Sequence, residues 1–225
     1  MQADFNRPVL AVDTGTSHLS LALRADGETR LFHQEVGSRQ SELILPEIRT
    51  LFRDAGITAA DLGAVVYAQG PGAFTGLRIG IGVAQGLATP FDTPLIGVPS
   101  LDAAASLPPP QSCILAATDA RMGEVFYAWF DTLNCRRLSD YQVGRAADIQ
   151  LPEGCAFSDG IGSAFALEEA PPFSGRPDMP TAADFLALAA KGGYAAVHAA
   201  DAGLLYVRNK IALTAKEQAE RRARL

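Results

Sequence analysis

Two periodicities run through the first hundred residues, and where one gives way to the other marks the elements. Val9–Val12 is a short apolar run that ends in Asp13-Thr14-Gly15-Thr16-Ser17. Leu19, Leu21 and Leu23 then alternate with Ser20 and Ala22, and Asp26-Gly27 leads into a further extended stretch through Phe32 to Val36. Alternation broken by an Asp-Gly turn predicts a meander of three strands. From about Ser41 to Ala55 the period becomes helical, with Gly56 as the stop. Ile44, Leu45, Ile48, Leu51, Phe52 and Ala55 fall within about 120° of arc, which predicts one buried face. Leu43 is apolar on the opposite side. Pro46, early in the helix, should bend it or limit its first turn.

Val65–Ala68 reads as a buried strand, and Gly70-Pro71-Gly72 forces a turn. A second helix is predicted from about Gly76 to Thr89, where Pro90 stops it. One stripe of it carries Leu77, Ile81, Ala84 and Ala88, and another Ile79, Val83 and Leu87; Arg78, Gln85 and Thr89 leave only a narrow polar strip. Gly76, Gly80, Gly82 and Gly86 all lie within this helix, at about 1 kcal/mol each relative to alanine. Such a cost implies close backbone approach, from the helix's own sheet on one side and from a partner chain on another. A central helix buried wholly within its own domain is the alternative.

Pattern weakens in the second half. Pro94–Val98 predicts a fifth strand, and Ser100 a cap for a short helix through Ala105. Pro108-Pro109-Pro110 is the strongest candidate boundary, dividing an N-terminal lobe, residues 1–107, from a reduced C-terminal lobe, residues 111–225. Ile114–Thr118 and Val125–Phe130 predict two strands about the turn Ala120-Arg121-Met122-Gly123, with Trp129 in a core. Arg137–Asp159 is poorly patterned. Ile161–Ala170 and Ala182–Ala190 read as helices, the latter with Asp184 near its start, and Tyr206–Ile211 as the last extended segment. No internal repeat is visible. The tail Thr214–Leu225 reads as a charged helix ending Arg221-Arg222-Ala223-Arg224, a solvated helix end, with a tRNA contact as the alternative reading.

Composition narrows the functional classes. The chain has 225 residues, 48% hydrophobic and 20% charged, as in a soluble globular protein of one or two domains. With a net charge of −6 and a pI near 5.1, free-standing nucleic-acid binding through a basic face is not expected. Cys113, Cys135 and Cys155 fit no metal spacing and suit a reducing compartment. No apolar run approaches a membrane span, and the N-terminus lacks a signal-peptide layout, so a cytoplasmic protein without membrane contact is expected.

The inventory of chemistry is thin. His18, His33 and His198 are the only histidines, and none has a helical i, i+4 partner to make a metal site. Gly76 is followed by Leu77 rather than by the Lys-Ser/Thr of a phosphate-binding loop, and no Gly-x-Ser-x-Gly elbow occurs. In Asp13–Ser17, glycine and small hydroxyl residues suit backbone N–H groups facing a phosphate, while aspartate can hold a hydrated Mg²⁺. The same residues also make an ordinary hairpin turn. A sugar-kinase-like phosphotransferase would use Asp13, Thr14, Gly15 and Thr16, but needs a second phosphate loop and an adenosine site. After Pro110 only the short Ser158-Asp-Gly-Ile-Gly-Ser163 offers one.

Together, Val9-Leu-Ala-Val-Asp-Thr-Gly-Thr-Ser17, Ser41-Glu-Leu-Ile-Leu-Pro46 and Gly70-Pro-Gly-Ala-Phe-Thr-Gly-Leu-Arg-Ile-Gly80 resemble the TsaB (YeaZ) family. Val98-Pro-Ser-Leu-Asp102, Asp119-Ala-Arg-Met-Gly-Glu124, Ser158-Asp-Gly160 and Tyr206-Val-Arg208 extend the resemblance over nearly the whole chain. It implies an α/β fold of the actin-like ATPase (ASKHA) type, with two small lobes of mixed sheet flanked by helices. It also implies a non-catalytic subunit that binds the catalytic paralogue TsaD directly and the ATPase TsaE through the complex, supporting threonylcarbamoyl transfer to adenosine 37 of tRNA. Alone, such a chain pairs with itself. With the helix pattern, the resemblance places the partner interface at Leu43, Phe74, Leu77, Arg78, Ile81, Gly82, Gln85, Gly86 and Thr89. Two departures stand out: Gln40 where the family often carries histidine, and Gly15 where it often carries alanine. The second keeps vestigial nucleotide contact at Asp13, Thr14, Gly15, Thr16 and Ser17 in view, with ADP or ATP and Mg²⁺ entering only in the assembled complex and no cofactor or metal in the isolated chain.

Overall fold

A computed structural model describes residues 1–207. The meander forms as the alternation predicts: β1 (Val9–Asp13), β2 (His18–Ala25) and β3 (Glu28–Glu35) pair antiparallel in sequence order. Asp26 and Gly27 both take positive φ, 52° and 79°, as a tight two-residue hairpin requires. The helix α1 (Gln40–Ala55) follows and closes on Gly56 at φ 67°. The Gly56 and Ile57 N–H groups donate to the Arg53 and Phe52 carbonyls, the paired bonds that end a helix on a left-handed residue. α1 runs unbroken through Pro46. Its buried row is Ile44, Ile48, Leu51 and Phe52. The helix is rolled slightly from the expected orientation, so Leu43 packs on the core while Leu45, expected inside, is 51% exposed.

β4 (Ala64–Gly70) and β5 (Leu95–Pro99) run parallel to the first strand and complete, with a two-residue β11 (Ala196–Val197), a six-stranded sheet ordered β11-β5-β4-β1-β2-β3. The crossover between β4 and β5 is α2 (Phe74–Ala88), which begins two residues before Gly76 and passes into a 3-10 turn at Thr89–Phe91. α3 (Ser100–Ala105) follows. Ser100 is its first residue rather than its cap; Pro99 takes the cap position with extended backbone, and no side chain caps the helix.

β1 shows how the first sheet is buried on both faces. Leu10 and Val12 join Ile44, Ile48, Ile81 and Ala84 on one side, while Val9 and Ala11 join Phe185, Leu186 and Ala189 on the other. The latter three come from α4 (Ala182–Ala190), whose start carries a reciprocal cap: Thr181 N–H and Oγ1–H both donate to Asp184 Oδ2, at 2.7 and 2.8 Å. β1–β5 precede Pro108–Pro110 and the strands of the second sheet follow it, but β11 and α4, both after Thr181, return to the first sheet. The apolar face of α4 has the first sheet's Val9, Ala11 and Val66 to cover, and Ala182 N–H donates to the buried Ser20 Oγ at 2.8 Å.

The second sheet contains β6 (Ile114–Arg121), β7 (Glu124–Asp131), β8 (Arg136–Arg137), β9 (Gln142–Gly144) and β10 (Asp159–Ile161). β6 pairs antiparallel with β7 and parallel with β10, the same arrangement that β1 makes with β2 and β4. The two halves therefore repeat one motif that their sequences do not display. Trp129 is buried in this sheet, edge-on to Phe157 and Phe173. The helix expected over Ile161–Ala170 does not form: Ile161 ends β10, and only a 3-10 turn spans Ser163–Ala166. Gly162 at φ 117° breaks the pattern, and a Cβ there would run into the Ala117 carbonyl. Of Tyr206–Ile211, Tyr206 and Val207 carry no regular structure. The rest of that segment and Thr214–Leu225 lie outside the described residues.

Candidate functional site

The five residues Asp13–Ser17 follow β1 directly and face the start of α2. Asp13 and Thr14 are buried. Asp13 Oδ1 accepts the Gly15 N–H at 2.8 Å, and Thr14 Oγ1–H donates to the Gly76 carbonyl at 2.7 Å. Ala73 N–H donates to the Gly15 carbonyl at 2.8 Å, and the Gln40 amide to the Thr16 carbonyl at 2.8 Å. Thr16 Oγ1 accepts the His18 N–H, and the Ser17 carbonyl accepts from Val36 and Gly37. A Cβ on Gly72 would sit 2.7 Å from the Gly15 carbonyl oxygen. The loop is thus closed onto Gly70-Pro71-Gly72-Ala73, and a phosphate could enter only if the two loops parted.

Electrostatics agree with that closure. Burial raises the Asp13 carboxyl to about 6, although the Gly15 N–H and nearby His18 pull it down. A residue built to hold hydrated Mg²⁺ would keep an accessible, ionised oxygen; Asp13 is buried with one oxygen engaged. These residues do not fit a nucleotide–magnesium group as they stand. His18 and His33 stack on each other, ring centroids 4.7 Å apart, on neighbouring strands. Among the described residues no three His, Cys, Asp or Glu side chains converge as metal ligands would.

The helix α2 divides its glycines into two pairs. A Cβ on Gly76 would run into the Thr14 carbonyl oxygen, and one on Gly80 would meet Thr14 Oγ1 at 2.5 Å. Those two let the helix seat on the Asp13–Ser17 loop. Gly82 and Gly86 are different: among the described residues nothing lies within 4 Å of a Cβ on either, and both are exposed. The described residues therefore do not bury this helix on every side.

The exposed pair continues a stripe. Phe74, Arg78, Gly82, Gly86 and Thr89 are exposed at spacings of four, four, four and three residues, which puts them on one face about 22 Å long. Phe74 is 60% exposed, its ring 3.2 Å below the Arg78 guanidinium carbon, and Tyr206 lies beside the same guanidinium. Tyr206 is held there because Leu205 N–H donates to the Gln69 carbonyl and Tyr67 OH to the Gly203 carbonyl. Phe91, 50% exposed, follows just beyond the stripe's other end. Neither Tyr206 nor Phe91 lies on the periodic part of the helix, so helical spacing does not point to them. Tyr206 had a signal in the Tyr206-Val-Arg208 motif; Phe91 had none.

Four of the expected interface residues need correction. Leu77 and Ile81 are buried in the chain's own core, Ile81 in the cluster with Ile44 and Ile48 of α1 and Leu77 in the cluster with Val66 and Val98 of the sheet, so neither is free to touch a partner. Gln85 is half-buried and its amide donates to the Ala199 carbonyl at 2.8 Å, because the segment after β11 folds back beside α2. Leu43 packs against the core beside Ile44.

The family model described as TsaD, tRNA N6-adenosine threonylcarbamoyltransferase, matches residues 33–170. The tRNA threonylcarbamoyladenosine biosynthesis protein TsaB of Escherichia coli (strain K12) is 41% identical over 123 residues, 53% of each chain. Its namesake from Haemophilus influenzae is 36% identical over 126 residues, 55% of this chain and 53% of that one. The chain thus spans about half the length of the curated relatives it matches. Among solved structures, YeaZ from Pseudomonas aeruginosa superimposes with a TM-score of 0.78 at 30% identity, covering 88% of this chain and 99% of that one. With the meander, the doubled strand motif and the glycine-rich second helix all in place, the chain is a member of the TsaB (YeaZ) family and carries its actin-like fold.

Proposed function

We propose that this chain is a non-catalytic partner subunit, working in the cytoplasm, that binds TsaD through the exposed stripe of α2 and supports threonylcarbamoyl transfer to adenosine 37 of tRNA. The observation that carries the reading is the division of the α2 glycines. Gly76 and Gly80 are explained by the chain's own loop; Gly82 and Gly86 are not explained by any of the described residues. Two glycines on an open helix face cost about 1 kcal/mol each and return nothing until another backbone comes close. The rim of Phe74, Arg78 and Thr89 supplies the aromatic and guanidinium groups that anchor interfaces. The relatives' printed names place them in tRNA threonylcarbamoyladenosine biosynthesis, and the closed Asp13–Ser17 loop favours a supporting role over phosphoryl transfer.

TsaE and tRNA meet this chain through the complex. In the absence of TsaD the same stripe packs on its copy about a two-fold axis, because a small-residue face is self-complementary. The test is reconstitution. TsaD from the same source, supplied with its substrates and TsaE, should modify tRNA poorly until this chain is added. Chains carrying Gly82→Arg or Gly86→Arg, folded as judged by circular dichroism, should fail to restore modification, whereas Asp13→Asn should restore it. Full restoration by both arginine variants would locate the contact elsewhere.

A further inference from the structure

The exposed stripe of α2 carries one charge, Arg78, and among the described residues no carboxylate pairs with it. Arg78 Nη1 donates to the Phe74 carbonyl at 3.2 Å, and the guanidinium carbon lies over the Phe74 ring with Tyr206 beside it. Its other N–H groups have no acceptor among the described residues. Beyond the far end of the stripe, the 3-10 turn Thr89–Phe91 closes on Asp92 at φ 53°. The Asp92 side chain is 80% exposed, and its Oδ1 lies 3.2 Å from Nδ1 of the exposed His198.

These two charges stand symmetrically about Gly82 and Gly86, whose midpoint is at the level of residue 84. Arg78 comes six residues earlier and its side chain runs back toward Phe74, which puts the guanidinium about 9–12 Å from the midpoint. Asp92 comes eight residues later, about 12 Å away on the other side. Turning about 100° per residue along α2 and about 120° in the 3-10 turn leaves both to the same side of the line through the two glycines.

We infer that when two copies of this chain pack through α2, Arg78 of each pairs with Asp92 of the other, and that these paired contacts set the antiparallel register of the homodimer. The inference rests on the reading of the α2 stripe as a docking surface. A two-fold axis through the midpoint, perpendicular to α2 and lying in the contact plane, reverses position along the helix and keeps the side. It carries Asp92 of one copy to the level and side of Arg78 of the other, and repeats the contact at the opposite end. Open glycines at the crossing let the helix axes approach to about 8 Å, a gap that an arginine side chain bridges. A parallel arrangement would instead set the two Arg78 at one level, with each Asp92 about 20 Å away.

Sedimentation velocity of the full chain over a concentration series, at low and high sodium chloride, tests the pairing. Asp92→Asn removes the charge but keeps a residue that accepts left-handed backbone. It should weaken the homodimer about tenfold at low salt and abolish its salt dependence. Arg78→Glu and Asp92→Lys, each folded as judged by circular dichroism, should weaken it at least as much. Together they should restore it to within about threefold of wild type. Gly86→Arg separates the two claims. A homodimer that Gly86→Arg dissolves, but whose affinity and salt dependence survive Asp92→Asn, would overturn the pairing and leave the docking stripe standing. A homodimer indifferent to Gly86→Arg, or a wild-type chain monomeric throughout, would overturn both.

Discussion

At the scale of single residues, Asp13 is the clearest mark of how closed the loop after β1 is. Its carboxyl is buried, raised from an ordinary 3.8 to about 6 chiefly by loss of solvent. A carboxyl raised on folding contributes stability that is fully present below about pH 4 and is lost as pH rises through about 6. A shift of that size corresponds to roughly 3 kcal/mol. Asp13→Asn keeps an oxygen for the Gly15 N–H and removes the buried charge. It should raise stability at pH 7.5 by about 2–3 kcal/mol and flatten the dependence between pH 4 and 7, as urea denaturation at a series of pH values would show. Unchanged stability at pH 7.5 would mean that Asp13 is hydrated. In the sequence, Asp13–Ser17 offered a phosphate loop and a hairpin turn equally. What closes the loop in this structure is the approach of Gly72 and Ala73, which lie nearly sixty residues away and leave no local trace.

At the scale of elements, α2 owes its character to glycines serving two masters. Gly76→Ala drives a methyl group into the Thr14 carbonyl and should cost about 3 kcal/mol or more. Gly82→Ala meets open space at an exposed helical position and should stabilise the isolated chain by about 1 kcal/mol. Thermal denaturation of the two variants would show midpoints moving in opposite directions; a loss of stability with Gly82→Ala would mean that α2 is covered at that position within the chain. Most elements were legible because they depend on nearby sequence: the Asp26-Gly27 hairpin, the Gly56 stop and the Thr181–Asp184 cap are all local signals. Those that were not legible depend on distant partners. Leu77 and Ile81 carry helical periodicity that is silent about which neighbour covers them, and Ile161–Ala170 looks helical until Gly162 must fit against Ala117. Of the expected interface, Phe74, Arg78, Gly82, Gly86 and Thr89 could be placed on one face from spacing alone; Tyr206 and Phe91 could not.

At the scale of the molecule, a single carboxylate joins segments that the sequence keeps far apart. Asp102 on α3 accepts Tyr141 OH at 2.6 Å, from the second-sheet half, and Tyr194 OH at 3.1 Å, from the segment that returns to the first sheet. Burial raises the Asp102 carboxyl, and the two tyrosine hydroxyls lower it again. Tyr194→Phe removes one donor from this partly buried carboxylate and should cost about 1–2 kcal/mol, measurable by chemical denaturation. An unaltered midpoint would show that Asp102 is satisfied by Tyr141 alone. The doubled strand motif and the return of α4 belong to the same scale, and nothing in 225 residues of sequence announced them. The return of α4 answers the apolar face of the first sheet that it covers.

The central claim is that the open stripe of α2 is a docking surface. Size-exclusion chromatography with light scattering, on the purified chain alone and then mixed with TsaD from the same source, tests it most directly. A homodimer that converts to a one-to-one complex with TsaD, and a Gly86→Arg chain that stays monomeric in both experiments, is the predicted result. A wild-type chain that remains monomeric alone and ignores TsaD would contradict it.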